Sequence, residues 1–220
     1  MKLTIFNGSP RGSKGNTKML VDWFKEPLES NGVTDLKIFY LKDQKKHSQM
    51  AKEFINSEYI LFAFPLYTDA MPGIVKLFID SLEPYQGKLN SLKIMFMVHS
   101  GFPEPVQSRT VEKYLQVLTG KLDAVYLGTI IKGGSEGLKI MPPMMVKKTK
   151  KILQGLGEEF LKTKKLNAEL IKKLATPEKM SPFGIFMFKL FSKTGLTNFY
   201  WNGMLKKNKV FDRRFDAPYN

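Results

Sequence analysis

The sequence predicts an α/β fold: a doubly wound sheet of five parallel strands with helices on both faces and a helical C-terminal extension. Three observations predict it. Short runs rich in Val, Ile, Leu and aromatic residues alternate with longer segments of helical period. The runs are almost wholly apolar, as strands are when helices cover both faces. The first run passes directly into a turn rich in Gly and Ser and then into a helix.

The strands are expected at Leu3–Phe6, Leu36–Leu41, Tyr59–Phe64, Lys93–Val98 and Ala124–Ile131. Between them helices are expected at Thr17–Ser30, Ser48–Asn56, Gly73–Leu82 and Val106–Leu118, with a long one from about Met144 to Lys164. In open sheets of this kind the ligand sits at the carboxyl ends of the strands. Asn167–Leu174 reads as a short helix ended by Thr176-Pro177. The reading divides the chain into a ligand-binding domain, 1–165, and a basic, aromatic-rich extension, 166–220, packed on the core or in a dimer interface. The extension is too short to bury a core of its own.

Composition narrows the function. The 220 residues include no Cys, which excludes disulfides, thiol catalysis, cysteine-ligated zinc and iron–sulfur clusters. No set of metal-ligating residues stands out, so no metal is expected. No leader-like segment and no run of membrane-spanning length is found, and a reducing cytoplasm is the expected location. The net charge of +15 is uneven. Residues 1–146 hold 18 Lys and Arg against 14 Asp and Glu, and residues 147–220 hold 17 against 6. The excess is mostly Lys, with no nucleic-acid motif beside it, so a solvated face is preferred to nucleic-acid binding.

The candidate site begins after the first strand, at Gly8-Ser9-Pro10-Arg11-Gly12-Ser13-Lys14-Gly15-Asn16-Thr17. Hydroxyls of Ser9, Ser13 and Thr17, the Arg11 guanidinium and a helix N-terminus suit one phosphate. The spacing matches neither GxxxxGK[ST] nor GxGxxG. Taken alone, the run also fits an ordinary capped βα turn. The third strand ends in Pro65-Leu66-Tyr67-Thr68-Asp69-Ala70-Met71-Pro72-Gly73, a stiff loop whose apolar members could cover a flat heterocycle. The fourth ends in His99-Ser100-Gly101, two polar side chains and a residue that permits close backbone approach. The fifth is followed by the glycine-rich Gly133–Gly137.

The form G-S-x-R-x-x-x-x-N-T, together with P-L-Y-x-x-x-M-P-G-x-V-K-x-F-I-D from Pro65 to Asp80, resembles the flavodoxin-like NAD(P)H-dependent FMN reductases over roughly residues 1–160. The resemblance implies a flavodoxin-like fold that binds FMN noncovalently and takes hydride from NAD(P)H. It implies Ser9, Arg11, Ser13, Asn16 and Thr17 at the phosphate, Pro65, Leu66, Tyr67 and Met71 around the ring, and His99, Ser100 and Gly101 at its polar edge. No protein residue is catalytic in this reading, because flavin N5 carries the chemistry. Electrons pass on to a small-molecule acceptor of quinone, nitro-compound or flavin class. The segment Leu41–His47 has no Cys, which excludes the iron–sulfur branch of the relatives.

The alternative is a non-enzymatic electron carrier of flavodoxin type, or a flavin-bound adaptor. The strong positive charge disfavours docking on the cationic partners that acidic flavodoxins use. In Phe183–Phe191, seven of nine residues are large and apolar. A homodimer or higher oligomer, with this segment in the interface, is the expected outcome. A membrane surface is the less favoured one, because the segment has no clear polar face.

Overall fold

The computed structural model describes residues 1–195 and 198–217, apart from the side chain of Tyr200. Tyr219 therefore lies outside the described residues. Five strands, β1 (Leu3–Asn7), β2 (Leu36–Tyr40), β3 (Tyr59–Pro65), β4 (Lys93–His99) and β5 (Val125–Lys132), form one sheet in the order β2-β1-β3-β4-β5. Every pairing is parallel. This is the flavodoxin-like topology. Each strand begins and ends within about a residue of the span its apolar run predicts.

The alternation of side chains across the pleat decides what each face meets. On one face Phe6, Ile60, Phe62, Phe64, Ile94, Phe96 and Val98 pack against α2 (His47–Ile55), α3 (Gly73–Asp80) and α4 (Arg109–Lys121). Phe6 stacks on Phe78 at 5.3 Å and meets Phe54 at 5.4 Å, the centre of an aromatic cluster. On the other face Leu3, Ile5, Leu61, Ala63, Met95 and Met97 pack against α1 (Asn16–Ser30) and α5 (Pro143–Thr163). The crossovers thus cover both sides of a strand set that is buried along β1, β3 and β4.

Helices α1 and α5 meet at Gly157. A Cβ there would lie 2.1 Å from the Phe24 carbonyl oxygen, so only glycine permits this approach. Helix α4 departs most from the sequence expectation, starting and ending three residues later than Val106–Leu118, and α3 ends two residues before Leu82. Pro105–Ser108 forms a 3-10 turn and α4 starts at Arg109, because Pro105 at the first position favours a tight entry. In β5 the register shifts between Tyr126 and Gly128, a bulge at which Gly128 takes φ +129°.

The chain forms two compact units, Met1–Lys179 and Met180–Asn220. The first runs past Lys165 for a visible reason. Helix α6 (Ala168–Leu174) buries Leu174, and Leu166, Leu170 and Ile171 pack on the α1/α5 layer. Just beyond, Glu178 takes a two-pronged bond from Arg109 of α4, Nε to Oε1 at 2.8 Å and Nη2 to Oε2 at 2.7 Å. That pairing raises the Arg109 pKa and lowers the Glu178 pKa. The second unit contains α7 (Pro182–Lys193), α8 (Phe199–Lys207) and a 3-10 turn at Phe211–Arg213.

Candidate functional site

The carboxyl ends of β1, β3 and β4 bring the three predicted loops to one edge of the sheet, and the loops are fastened to one another. Gly8 donates to Ala63 O at 2.8 Å, and Leu66 donates to His99 O at 2.7 Å. Gly8 has no room for a side chain, because a Cβ would stand 2.3 Å from Val75 Cγ2. These contacts hold the loop after β1 down on β3 and α3.

The β1 loop is held in a tight shape by its own main chain. Ser9 is buried, its N–H bonded to Asn7 Oδ1 at 2.9 Å and its carbonyl accepting from Gly12 N at 2.8 Å. Gly12 turns the chain at φ +55°. Gly15 allows Ser9 Oγ to approach, since a Cβ there would lie 2.6 Å away. Helix α1 then starts with no side-chain cap, so its first-turn N–H groups are left for an external acceptor. Beneath the loop, Asn7 Nδ2 is buried with no partner. Arg11 and Ser13 are exposed at the mouth.

The donors of this loop fit a phosphate, and two cations flank it. Arg11 pairs only loosely with Glu136, at 3.6 Å across solvent. Lys42, just after β2, lies directly against the loop. A Cβ on Gly12 would come within 2.8 Å of its Cδ and Cε and 3.0 Å of its Nζ. Sequence reasoning gave Lys42 no role. Its nearness follows from β2 pairing with β1, which no local motif announces.

Three of the predicted residues are engaged elsewhere. Asn16 Nδ2 donates to Ser135 O at 2.8 Å and Glu136 O at 3.2 Å, which ties the β1 loop to the loop after β5. Thr17 Oγ1 lies 2.7 Å from His99 Nε2, and His99 Nδ1 lies 2.7 Å from Ser135 Oγ. Ser135 Oγ donates its one hydrogen to Ser100 O at 2.8 Å. Its bond to His99 therefore needs an N–H at Nδ1, and His99 Nε2 must accept from the Thr17 hydroxyl. Both ring nitrogens are used, so His99 offers no donor to a ligand. Desolvation, with the Arg11 and Lys132 charges adding to it, pushes its pKa down to about 3 and keeps the ring neutral. Desolvation likewise lowers the pKa of Lys132, whose Nζ donates to Gly133 O.

Around the prospective ring, Pro65 and Leu66 are buried and Met71 packs partly on the core. Ser100 is buried too, its hydroxyl on Phe102 O at 3.1 Å. Tyr67, Gly101 and Phe102 face outward, as do Thr68, Asp69, Ala70 and Pro103 beside them. Tyr67 opens a two-residue hairpin closed by Tyr67 N to Ala70 O at 2.8 Å and Ala70 N to Tyr67 O at 3.0 Å. The two turn residues, Thr68 and Asp69, take φ +47° and +61°. A β-branched residue in that region is strained, and such strain concentrates at ligand clamps. Phe102, given no role by the sequence reading, is exposed beside Gly101.

Residues 1–135 match the family of NADPH-dependent FMN reductases. The chain belongs to that family. Membership makes it an FMN-dependent oxidoreductase of the NAD(P)H-using class. Solved structures agree on the fold. An FMN-dependent NADH-azoreductase from Bacillus anthracis, determined in complex with FMN, superposes with TM-score 0.56 at 14% identity, over 73% of this chain and 99% of that one. The Trp repressor binding protein from Bacillus subtilis gives 0.55 at 17%, over 74% and 99%. An NADPH-quinone reductase from P. pentosaceus gives 0.55 at 16%, over 70% and 96%. No curated protein matches the sequence.

Proposed function

We propose that this FMN reductase holds the FMN phosphate in the Ser9–Thr17 loop and passes electrons from NAD(P)H to a planar small molecule of quinone, nitro-compound or flavin class. One observation carries the reading: α1 begins uncapped behind a glycine-bounded loop, with Arg11 and Lys42 beside it. Main-chain N–H groups of the loop and of the first turn, the Ser9 and Ser13 hydroxyls, and the two cations bind the phosphate. Asn16 and Thr17 act through their main-chain N–H groups, while their side chains brace the neighbouring loops.

Bound FMN supplies a ring that accepts a hydride and gives up electrons. The protein positions that ring and excludes water from it. Tyr67 and Phe102 offer exposed aromatic surface on the loops of adjacent strands, one for the ring and one for the planar partner stacked upon it. Gly101 brings main-chain donors close to the polar edge. His99, locked neutral, sets the spacing of the β1, β4 and β5 loops and moves no proton.

The purified protein should be yellow, with the two visible bands of a flavin. Heat should release FMN and not FAD, because the loop has donors for one phosphate and no dinucleotide fingerprint accompanies it. Steady NAD(P)H oxidation with a quinone or nitro acceptor should follow. Recovery of FAD, or failure to bind added FMN, would refute the assignment. Stable flavin binding without turnover would favour an electron carrier.

A further inference from the structure

We infer that the second unit, residues 180–217, is a device for docking the enzyme on an anionic lipid surface. Helix α7 carries Phe183, Ile185, Phe186, Met187, Phe188, Leu190 and Phe191. At 100° per residue these positions cover most of the helix circumference, leaving one narrow sector for Lys189 and Lys193. None of its residues is buried, and Phe183, Phe186 and Phe188 are 71%, 60% and 56% exposed. A second copy of the chain, the covering expected from the sequence, would shield one side of such a helix and leave the others wet. Hydrocarbon solvates the whole of the wide apolar sector at once.

The backbone of α7 suits that environment. Its N-terminal donors are met by Ser181, whose Oγ accepts from Gly184 N at 3.0 Å, and Pro182 removes another donor. Twelve residues reach about 18 Å, short of the roughly 30 Å of a bilayer's apolar layer. No helix among the described residues is long and apolar enough to cross a membrane. The helix therefore enters one leaflet without spanning it. Its polar sector is narrow, with Lys189 and Lys193 one turn apart on one side, and both are long enough to snorkel to the headgroups while the rest of the helix lies in hydrocarbon.

The charge of the unit complements an anionic surface. Residues 180–217 hold seven Lys and Arg against two Asp. They are interleaved with exposed Phe199, Trp201 and Phe215. Arg214 lies 4.1 Å from the centre of the Phe211 ring and 4.6 Å from that of Phe215. Lys206 lies 4.9 Å from the Phe211 ring. Aromatic and basic residues combined this way belong at headgroup depth.

The test uses the full-length protein and vesicles of phosphatidylcholine, with and without phosphatidylglycerol, in physiological salt. Co-sedimentation is expected with the anionic vesicles and much less with the neutral ones. Phe186→Asp with Phe188→Asp, both exposed, should abolish it with an unchanged circular dichroism spectrum. Each of Lys206→Gln, Lys207→Gln and Lys209→Gln should weaken partition about fivefold. Brominated lipid should quench a fluorescence component that Trp201→Phe removes. Absence of both binding and quenching with the wild type would overturn the proposal. So would light scattering that shows a wild-type dimer converted to monomer by the Phe variants, with no lipid binding.

Discussion

His99 should make the protein acid-sensitive in a window where few other groups titrate. It is 5% exposed, and its pKa is pushed from 6.5 to about 3. Above pH 6.5 the imidazole is neutral in both folded and unfolded chains, and it contributes no slope. Between pH 6.5 and about 3 only the unfolded chain takes up the proton, so stability falls as the pH falls. Each unit below 6.5 costs about 1.4 kcal/mol, which makes pH 5 about 2 kcal/mol less stable than pH 7 on this account. Ordinary carboxylates are still charged at pH 5 and add little. In His99→Gln that slope should vanish. Loss of well-made bonds to Thr17 and Ser135 should cost about 1–3 kcal/mol at pH 7, so the two proteins converge on acidification. Urea unfolding followed by circular dichroism at pH 7, 6 and 5 measures both effects. A wild-type slope no steeper than that of His99→Gln would refute the claim that the ring is buried neutral.

Arg11→Ala should weaken FMN binding about ten- to a hundredfold, from the loss of one charge-assisted contact, with no change in circular dichroism. Its pairing with Glu136 is exposed, so little stability goes with it. Lys42→Ala should weaken FMN binding in the same direction, and an unchanged affinity by flavin fluorescence titration would remove Lys42 from the phosphate site. Gly15→Ala should push Ser9 Oγ out of place and lower flavin affinity before it lowers stability, and parallel titration and thermal melts separate the two. Gly157→Ala should destabilise the fold by roughly 1–3 kcal/mol or more, because the new methyl meets a main-chain oxygen that cannot turn aside, and a fall in the urea midpoint measures it.

The sheet was legible because its strands are buried on both faces. Tyr59-Ile-Leu-Phe-Ala-Phe has no charged residue to blur the run, and Asn56-Ser57 before it and Pro65 after it mark its ends. Turn detail was less legible. Nothing in Thr68-Asp69 announces a hairpin turn, since Asn-Gly is the usual pair at positive φ. The local rule was overridden by the fit of Tyr67 to Ala70. The compact unit ends at Lys179, and the clamp between Arg109 and Glu178, 69 residues apart, lies within it.

At the site, residue type marked the place and left the roles open. The side chains of Ser9, Ser13, Asn16, Thr17, His99 and Ser100, hydroxyl, amide and imidazole, all read as donors to a ligand. The fold divides them by strand order. Ser9 and Ser13 lie in the β1 loop itself. Thr17 and His99 are drawn inward because the first turn of α1 meets the end of β4. There a buried hydroxyl without a partner would cost more than a ligand contact could return. Ser135 then completes a chain in which each hydrogen has one acceptor, and that completeness leaves His99 nothing to offer a ligand. The loops we propose to hold the flat cofactor are thus spaced by a closed polar network, which is stiff because no member can turn without orphaning another.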